Sequence, residues 1–105
     1  MRKFDSGATR NSDDDKLDFE GFLSPIVIER YGEYLHKHRI QKDGKIRESD
    51  NWQQGIPQDV YMKSMLRHLI EIWKSHRGYE EENIQESLCG LLFNAMGYLF
   101  EELKK

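Results

Sequence analysis

The stretch that decides the fold is Met62–Gly78, MKSMLRHLIEIWKSHRG. Met62, Met65, Leu66, Leu69 and Trp73 recur every three or four residues, and His76 continues the line. That period marks an amphipathic helix, not a strand. Arg77-Gly78 ends it. A basic side chain sits well beside the last carbonyls, and Gly takes the left-handed turn that closes a helix. The spacing predicts a helix over 58–76. A further helix is predicted over 82–102, with Glu80, Glu81 and Glu82 at the end where the helix dipole favours negative charge. Ile84, Leu88, Leu91, Leu92, Ala95 and Leu99 form its expected buried face. So few residues separate these two helices that they should form an antiparallel hairpin.

Toward the N-terminus, Ser24-Pro25 reads as a helix start: Ser can cap, and Pro is tolerated in the first turn. Ile26, Ile28, Tyr31, Tyr34 and Leu35 then predict a helix over 25–38. Residues 39–57 form a long connection holding Asp43-Gly44, Gly55 and Pro57, with a short hairpin expected around Asp43-Gly44. A connection of this length in a small domain is usually functional or mobile. Residues 1–16 are polar and without period, so composition predicts a disordered arm. Leu17, Phe19, Phe22 and Leu23 are expected to dock the next stretch onto the core. The expected fold is a single all-α domain over 1–105, a small helical bundle with a long polar N-terminal arm.

At 105 residues there is room for one modest core. Apolar residues make up 37% and charged residues 33%, which is wetter than an average globule but short of a disordered chain. Sixteen basic against nineteen acidic residues leave a net charge of −3, which argues against a duplex nucleic-acid partner. One Cys excludes an internal disulfide framework and a Cys-based zinc finger, and suits a reducing compartment. No apolar run approaches the roughly 20 residues of a membrane helix, and no apolar stretch follows Met1–Asp5. The expectation is a soluble cytoplasmic protein with no membrane partner.

Four places could carry chemistry. From Arg30 to Arg47 there are six basic residues against Glu33 and Asp43, with His36 and His38 adding to the basic side. Such a strip near carboxylates suits a polyphosphate with bound Mg²⁺, and equally suits ordinary solvated charge. Ser64, His68, Glu71 and Ser75 form one stripe of the 58–76 helix, at the edge of its apolar arc. There His68 is either a hydrogen-bonded structural histidine or part of a ligand set with Glu71. Glu86, Gly90, Asn94, Gly97 and Glu101 form a stripe away from the Leu face. Two mid-helix glycines invite close approach of a ligand, a neighbouring helix or a second copy. Finally, Trp52 in Asp50-Asn51-Trp52-Gln53-Gln54-Gly55-Ile56-Pro57 is either a plate for a base or a core plug. Phosphate-binding glycine loops, zinc-protease and calcium-loop motifs are absent from the sequence, and no cation or base is obviously paired with Cys89.

Taken in order, these segments resemble the phage-type dATP/dGTP diphosphohydrolase N-terminal domain family, which is similar to the MazG-like all-α nucleotide pyrophosphohydrolases. The residues carrying the resemblance are Ser6-Gly7-Ala8-Thr9-Arg10 with Lys16 and Asp18, Ser24-Pro25, Arg30-Tyr31, and Asp50-Asn51-Trp52-x-x-Gly55-x-Pro57. Arg67-His68-Leu69, Trp73 and Asn94 complete them. They span nearly the whole chain. The resemblance implies an all-α fold, a homodimer or higher assembly, and Mg²⁺-dependent (or Mn²⁺-dependent) cleavage of a deoxynucleoside triphosphate to monophosphate and pyrophosphate. If the chain is phage-encoded, this would occur in the host cytoplasm. The resemblance puts Arg10, Lys16 and Arg67 on phosphate, with the arm folding over the substrate, and Asn51 and Trp52 in the nucleotide cleft. Glu71 and Glu86 are the expected metal ligands, with His68 and Asn94 supporting. There is one departure: the helix positions that in relatives carry an acidic or histidine pair hold Ser87 and Gly90 here. A catalytically inactive relative that binds a nucleotide or a host protein is the alternative.

Overall fold

The computed structural model describes residues 2–12, 14–80 and 83–105. Glu81 and Glu82, assigned above to the head of the last helix, lie outside the described residues, as do Met1 and Asp13. The chain is mostly helical. After a two-stranded ribbon, β1 (Arg2–Lys3) and β2 (Thr9–Arg10), come α1 (Phe19–Phe22), α2 (Pro25–Lys37), α3 (Gln58–Arg77) and α4 (Ile84–Leu103). A single 3₁₀ turn covers Asn51–Gln54.

Local chemistry places the helix ends. Ser24 accepts a hydrogen bond from the Val27 amide with Pro25 in the first turn of α2. Gly78 closes α3 at φ 76°, its N–H bonded to the Lys74 and Ser75 carbonyls. Asn83 caps α4 by accepting from the Glu86 amide. The turn at Asp43-Gly44 also forms, with Gly44 at φ 83°, Gln41 N–H donating to the Lys45 carbonyl, and Ile40 bridged to Ile46. The arm departs from the disordered expectation: Arg2 pairs with Arg10 and Lys3 with Thr9 in an antiparallel ribbon. Backbone pairing and the Gly7 turn supply order there that side-chain composition does not encode.

The α3–α4 pair is antiparallel: Tyr61 meets Gly97, His68 meets Gly90, and Glu71 meets Ser87. The expected inner faces are corrected by this register. The seam is made by the polar and small stripes, while the Leu-rich stripes turn outward. Ser87, Cys89, Gly90, Asn94 and Gly97 are the buried residues of α4, and Tyr61 is the buried residue of α3. Leu88, Leu92, Leu99, Leu66, Leu69 and Trp73 are exposed instead. Glycine explains the choice. A Cβ on Gly90 would lie 2.6 Å from His68 Nε2, and one on Gly97 would fall inside the Tyr61 ring. Only hydrogen at these positions lets the rings seat and the helix axes close. His68, Glu71, Ser87 and Asn94 find hydrogen-bond partners in the seam, which offsets the cost of enclosing them, whereas the buried Tyr61 hydroxyl has none.

The expected docking of the 17–23 segment is realised only at its end, where Phe22 and Leu23 border a hollow they share with Leu92 and Met96 of α4, and most of its apolar surface is open. Leu17 is 79% exposed, Phe19 64% and Phe22 88%. α2 lies against another side of α4 through Tyr31, whose hydroxyl sits 3.7 Å from Met96 Sδ, and through Arg30 Nε, which donates to Gln85 Oε1 at 2.9 Å. Partial burial pushes the Tyr31 phenol up to about 12, helped by Tyr34 and Cys89 nearby.

Candidate nucleotide cleft

An open cleft of about 990 Å³ lies between the end of α2, the 39–57 connection and α4. Its cationic wall is Arg39, Lys42 and Arg47 with His36 and His38, set against Asp43 and Glu48. The Asp43-Gly44 turn produces this wall by folding residues 39–47 back on themselves. Arg39 Nε donates to the Arg47 carbonyl at 2.9 Å, so the two ends of the hairpin hold each other. Asn51 and Trp52 line the cleft as well. The Trp52 ring meets Phe100 edge-on at 4.9 Å and Phe93 at 6.2 Å. It is therefore at once a plug against α4 and a wall of the cleft, so the two readings of this residue are compatible.

Tyr34 also lines the cleft, and two carboxylates act on its hydroxyl. Burial raises its pKa first, then Glu86, Cys89 and Glu71. Glu71 Oε2 accepts from Ser87 Oγ at 2.8 Å and lies 3.2 Å from His68 Nδ1. The Ser87 hydrogen bond holds the Glu71 pKa below its ordinary value against the opposing effect of burial, with His68 and Arg67 assisting. Glu86 Oε1 accepts from Lys37 Nζ at 2.6 Å, which lowers its pKa, with Arg30 and His38 adding to the effect. Both groups are therefore anionic at neutral pH. Ser87, the neighbour of Glu86 in sequence, bonds Glu71, while Glu86 turns to Lys37 of α2; neither carboxylate lines the cleft.

Among the described residues, no group of three or more His, Cys, Asp or Glu side chains is arranged to hold a metal ion. One observation nonetheless fits a hard cation: Glu86 Oε2 is buried with no hydrogen-bond partner. Mg²⁺ commonly uses one or two carboxylates plus substrate phosphates, so a large protein cage is not required. His68 and Asn94 are occupied in the seam. The His68 ring packs on Gly90, and Asn94 Nδ2 donates to the Gly90 carbonyl of its own helix at 2.7 Å.

The remaining expected residues lie elsewhere. Arg10 is exposed in β2 and Lys16 is exposed beyond it, and neither lines the cleft. Arg67 is on the solvent side of α3, donating from Nη2 to Ser64 Oγ at 2.8 Å, and reaches the site only through its field on Glu71. Sequence reading missed Tyr34, which it took for one more apolar residue of the 25–38 helix. The available signal was a phenol three residues from Lys37 and four from His38, in the basic strip itself.

Comparison of the chain with protein-family models, curated proteins and solved structures found no match. Among the described residues, no helix is long and apolar enough to cross a membrane.

Proposed function

We propose that the chain binds a purine deoxynucleoside triphosphate in the cleft and hydrolyses it, with Mg²⁺ or Mn²⁺, to the monophosphate and pyrophosphate. The observation that carries this reading is a cleft walled by Arg39, Lys42 and Arg47 together with Asn51, Trp52 and Tyr34. Arg39, Lys42 and Arg47 hold phosphate oxygens by charge-assisted hydrogen bonds. Trp52 stacks on the base and Asn51 meets its polar edge. Glu86 and Glu71 would hold the divalent cation, which would supply positive charge to the phosphates and lower the pKa of an attacking water. Lys37, which pairs with Glu86 at 2.6 Å, would be free to pair with a phosphate oxygen if Glu86 held a cation. Tyr34, held protonated, donates a hydrogen bond to an anionic oxygen at the cleft floor. No protein nucleophile is needed.

The deciding experiment incubates the purified chain with dATP, dGTP and the other deoxynucleotides plus Mg²⁺ or Mn²⁺ and measures pyrophosphate. Release that disappears in Glu86→Ala is expected. A second reading, nucleotide binding without turnover, is favoured by the Lys37 ammonium already neutralising Glu86 and by Ser87 and Gly90 in place of the family's ligand pair. Calorimetric binding without pyrophosphate would select it. No binding of any nucleotide at any cation concentration would overturn both.

A further inference from the structure

The basic residues of 30–47 divide between two tasks. Arg30 and Lys37 are spent within the fold, on Gln85 and Glu86 of α4. Arg39, Lys42, Lys45 and Arg47 stand together on the hairpin turned by Asp43-Gly44, whose arms are joined by backbone hydrogen bonds of 2.8 Å from Gln41 to Lys45 and from Arg47 to Arg39. Elsewhere Lys37, Lys63, Lys74, Lys104 and Lys105 each pair with a carboxylate. Among the described residues, no carboxylate pairs with the hairpin cations. Asp43, which could, is spent in the turn, where its Oδ1 accepts from the Lys45 amide at 3.0 Å. Like charges grouped in this way repel one another, and a polyanion relieves that repulsion. The positive surface also runs past the cleft, since Arg39, Lys42 and Arg47 line it and Lys45 does not. The aromatic surface is likewise more than one base needs. Trp52 lines the cleft, backed edge-on by Phe93 and Phe100. Tyr34 and His38 line it too, their rings 4.2 Å apart and tilted by 41°.

We propose that the cleft and the 39–47 hairpin bind single-stranded nucleic acid, with successive bases on Trp52 and on the Tyr34–His38 pair and the backbone phosphates on Arg39, Lys42, Lys45 and Arg47. A mononucleotide brings one base and one short run of phosphates. Two aromatic plates and a cationic surface that continues beyond the cleft match a chain of nucleotides. Aromatic plates beside a positive groove hold single strands with little regard to sequence, because every base has a π-face. A duplex keeps its bases stacked away from such plates, and a net charge of −3 leaves no broad basic face for a stiff rod. The inference rests on the base and phosphate contacts of the nucleotide reading, and not on its turnover.

The test is fluorescence anisotropy of the full chain with labelled single strands of DNA and of RNA, mixed in sequence and about 12 nucleotides long, against a duplex of the same length. Both strands should bind more tightly than the duplex and be displaced by dATP, and a preference for one of them supports the proposal and fixes the sugar. With about four phosphates neutralised, log affinity should fall with log salt at a slope of about −3, which is roughly fiftyfold between about 50 and 200 mM. Lys45→Ala should weaken strand binding by about threefold or more and make that slope shallower by about 0.7, while calorimetric binding of dATP is unchanged. Lys63→Ala, which removes an ammonium already paired with Asp59, should alter neither. Duplex binding as tight as strand binding overturns the proposal, and so does strand binding indifferent to Lys45→Ala. Binding of dATP with no strand binding overturns it and leaves the nucleotide reading standing. Strand binding without pyrophosphate release supports it and removes turnover from that reading. No binding of either ends both.

Discussion

Gly97→Ala and Gly32→Ala add the same methyl group to two helix interiors, with opposite expected signs. In an exposed helix the exchange stabilises by about 1 kcal/mol, because Ala loses less backbone entropy on folding. Gly32 in α2 has open space where its Cβ would be, so the full gain is expected there. At Gly97 the new Cβ would occupy the ring of Tyr61, which is 1% exposed and has no room to swing. Displacing that ring gives up about 2–3 kcal/mol of burial, or the backbones separate at the similar cost of overpacking a core. The helix gain offsets only part, leaving a net loss of about 1–2 kcal/mol. For a chain of this size the thermal midpoint should move by about 4–8 °C per kcal/mol, upward for Gly32→Ala and downward for Gly97→Ala. Circular-dichroism melts at one fixed protomer concentration read both. Gly97→Ala made in a Tyr61→Ala background should recover the stabilising sign, since the obstacle is then gone. If Gly97→Ala stabilises the otherwise native chain as much as Gly32→Ala does, the small-residue seam between α3 and α4 is wrong.

Three further outcomes are expected. The folded-state pKa of Glu71 is depressed, so its stabilising contribution is present above the ordinary carboxylate value and is lost as pH falls through that value to the folded one. Glu71→Gln should flatten the acid limb of stability in urea melts below about pH 5, and an unchanged limb would count against the Ser87 contact. Tyr31 runs the other way. Raised to about 12 in the fold, it contributes stability below its unfolded value near 10 that is lost as pH climbs between the two, and Tyr31→Phe should remove that alkaline loss. Trp52→Ala should destabilise by about 1–3 kcal/mol through its two edge-on ring contacts, and should weaken nucleotide binding by more than the loss of folded protein accounts for. If binding per folded molecule is unchanged, Trp52 is only a plug.

Much of the candidate cleft was legible because its parts lie close together in sequence. Arg39, Lys42 and Arg47, the Asp43-Gly44 turn and the Asn51-Trp52 pair are neighbours along the chain, and a turn brings them to one place, while Arg30 and Lys37 of the same basic strip go to α4 instead. The setting of Glu71 needed more. Its contact with Ser87 depends on the register of α3 on α4, which is fixed by rings seated over Gly90 and Gly97. Tyr34 was invisible as a site residue because an amphipathic helix uses a phenol equally well for packing. Arg10 and Lys16 were grouped with the site by resemblance, and nothing in their spacing specified where the β1–β2 ribbon would stand.

By itself the sequence determined the local structure: where each long helix starts and stops, where the chain turns, and that each helix carries one apolar and one polar stripe. Caps, glycine turns and the 3.6-residue period act within a few residues, so they can be read from a single strand of text. Only the tertiary structure decided which stripe faces inward. Periodicity reports that two faces differ, but the seam goes to the faces whose shapes interlock. Here these are the small residues of α4 against the Tyr61 and His68 rings of α3. That choice leaves the leucines outside and brings Glu71 beside Ser87.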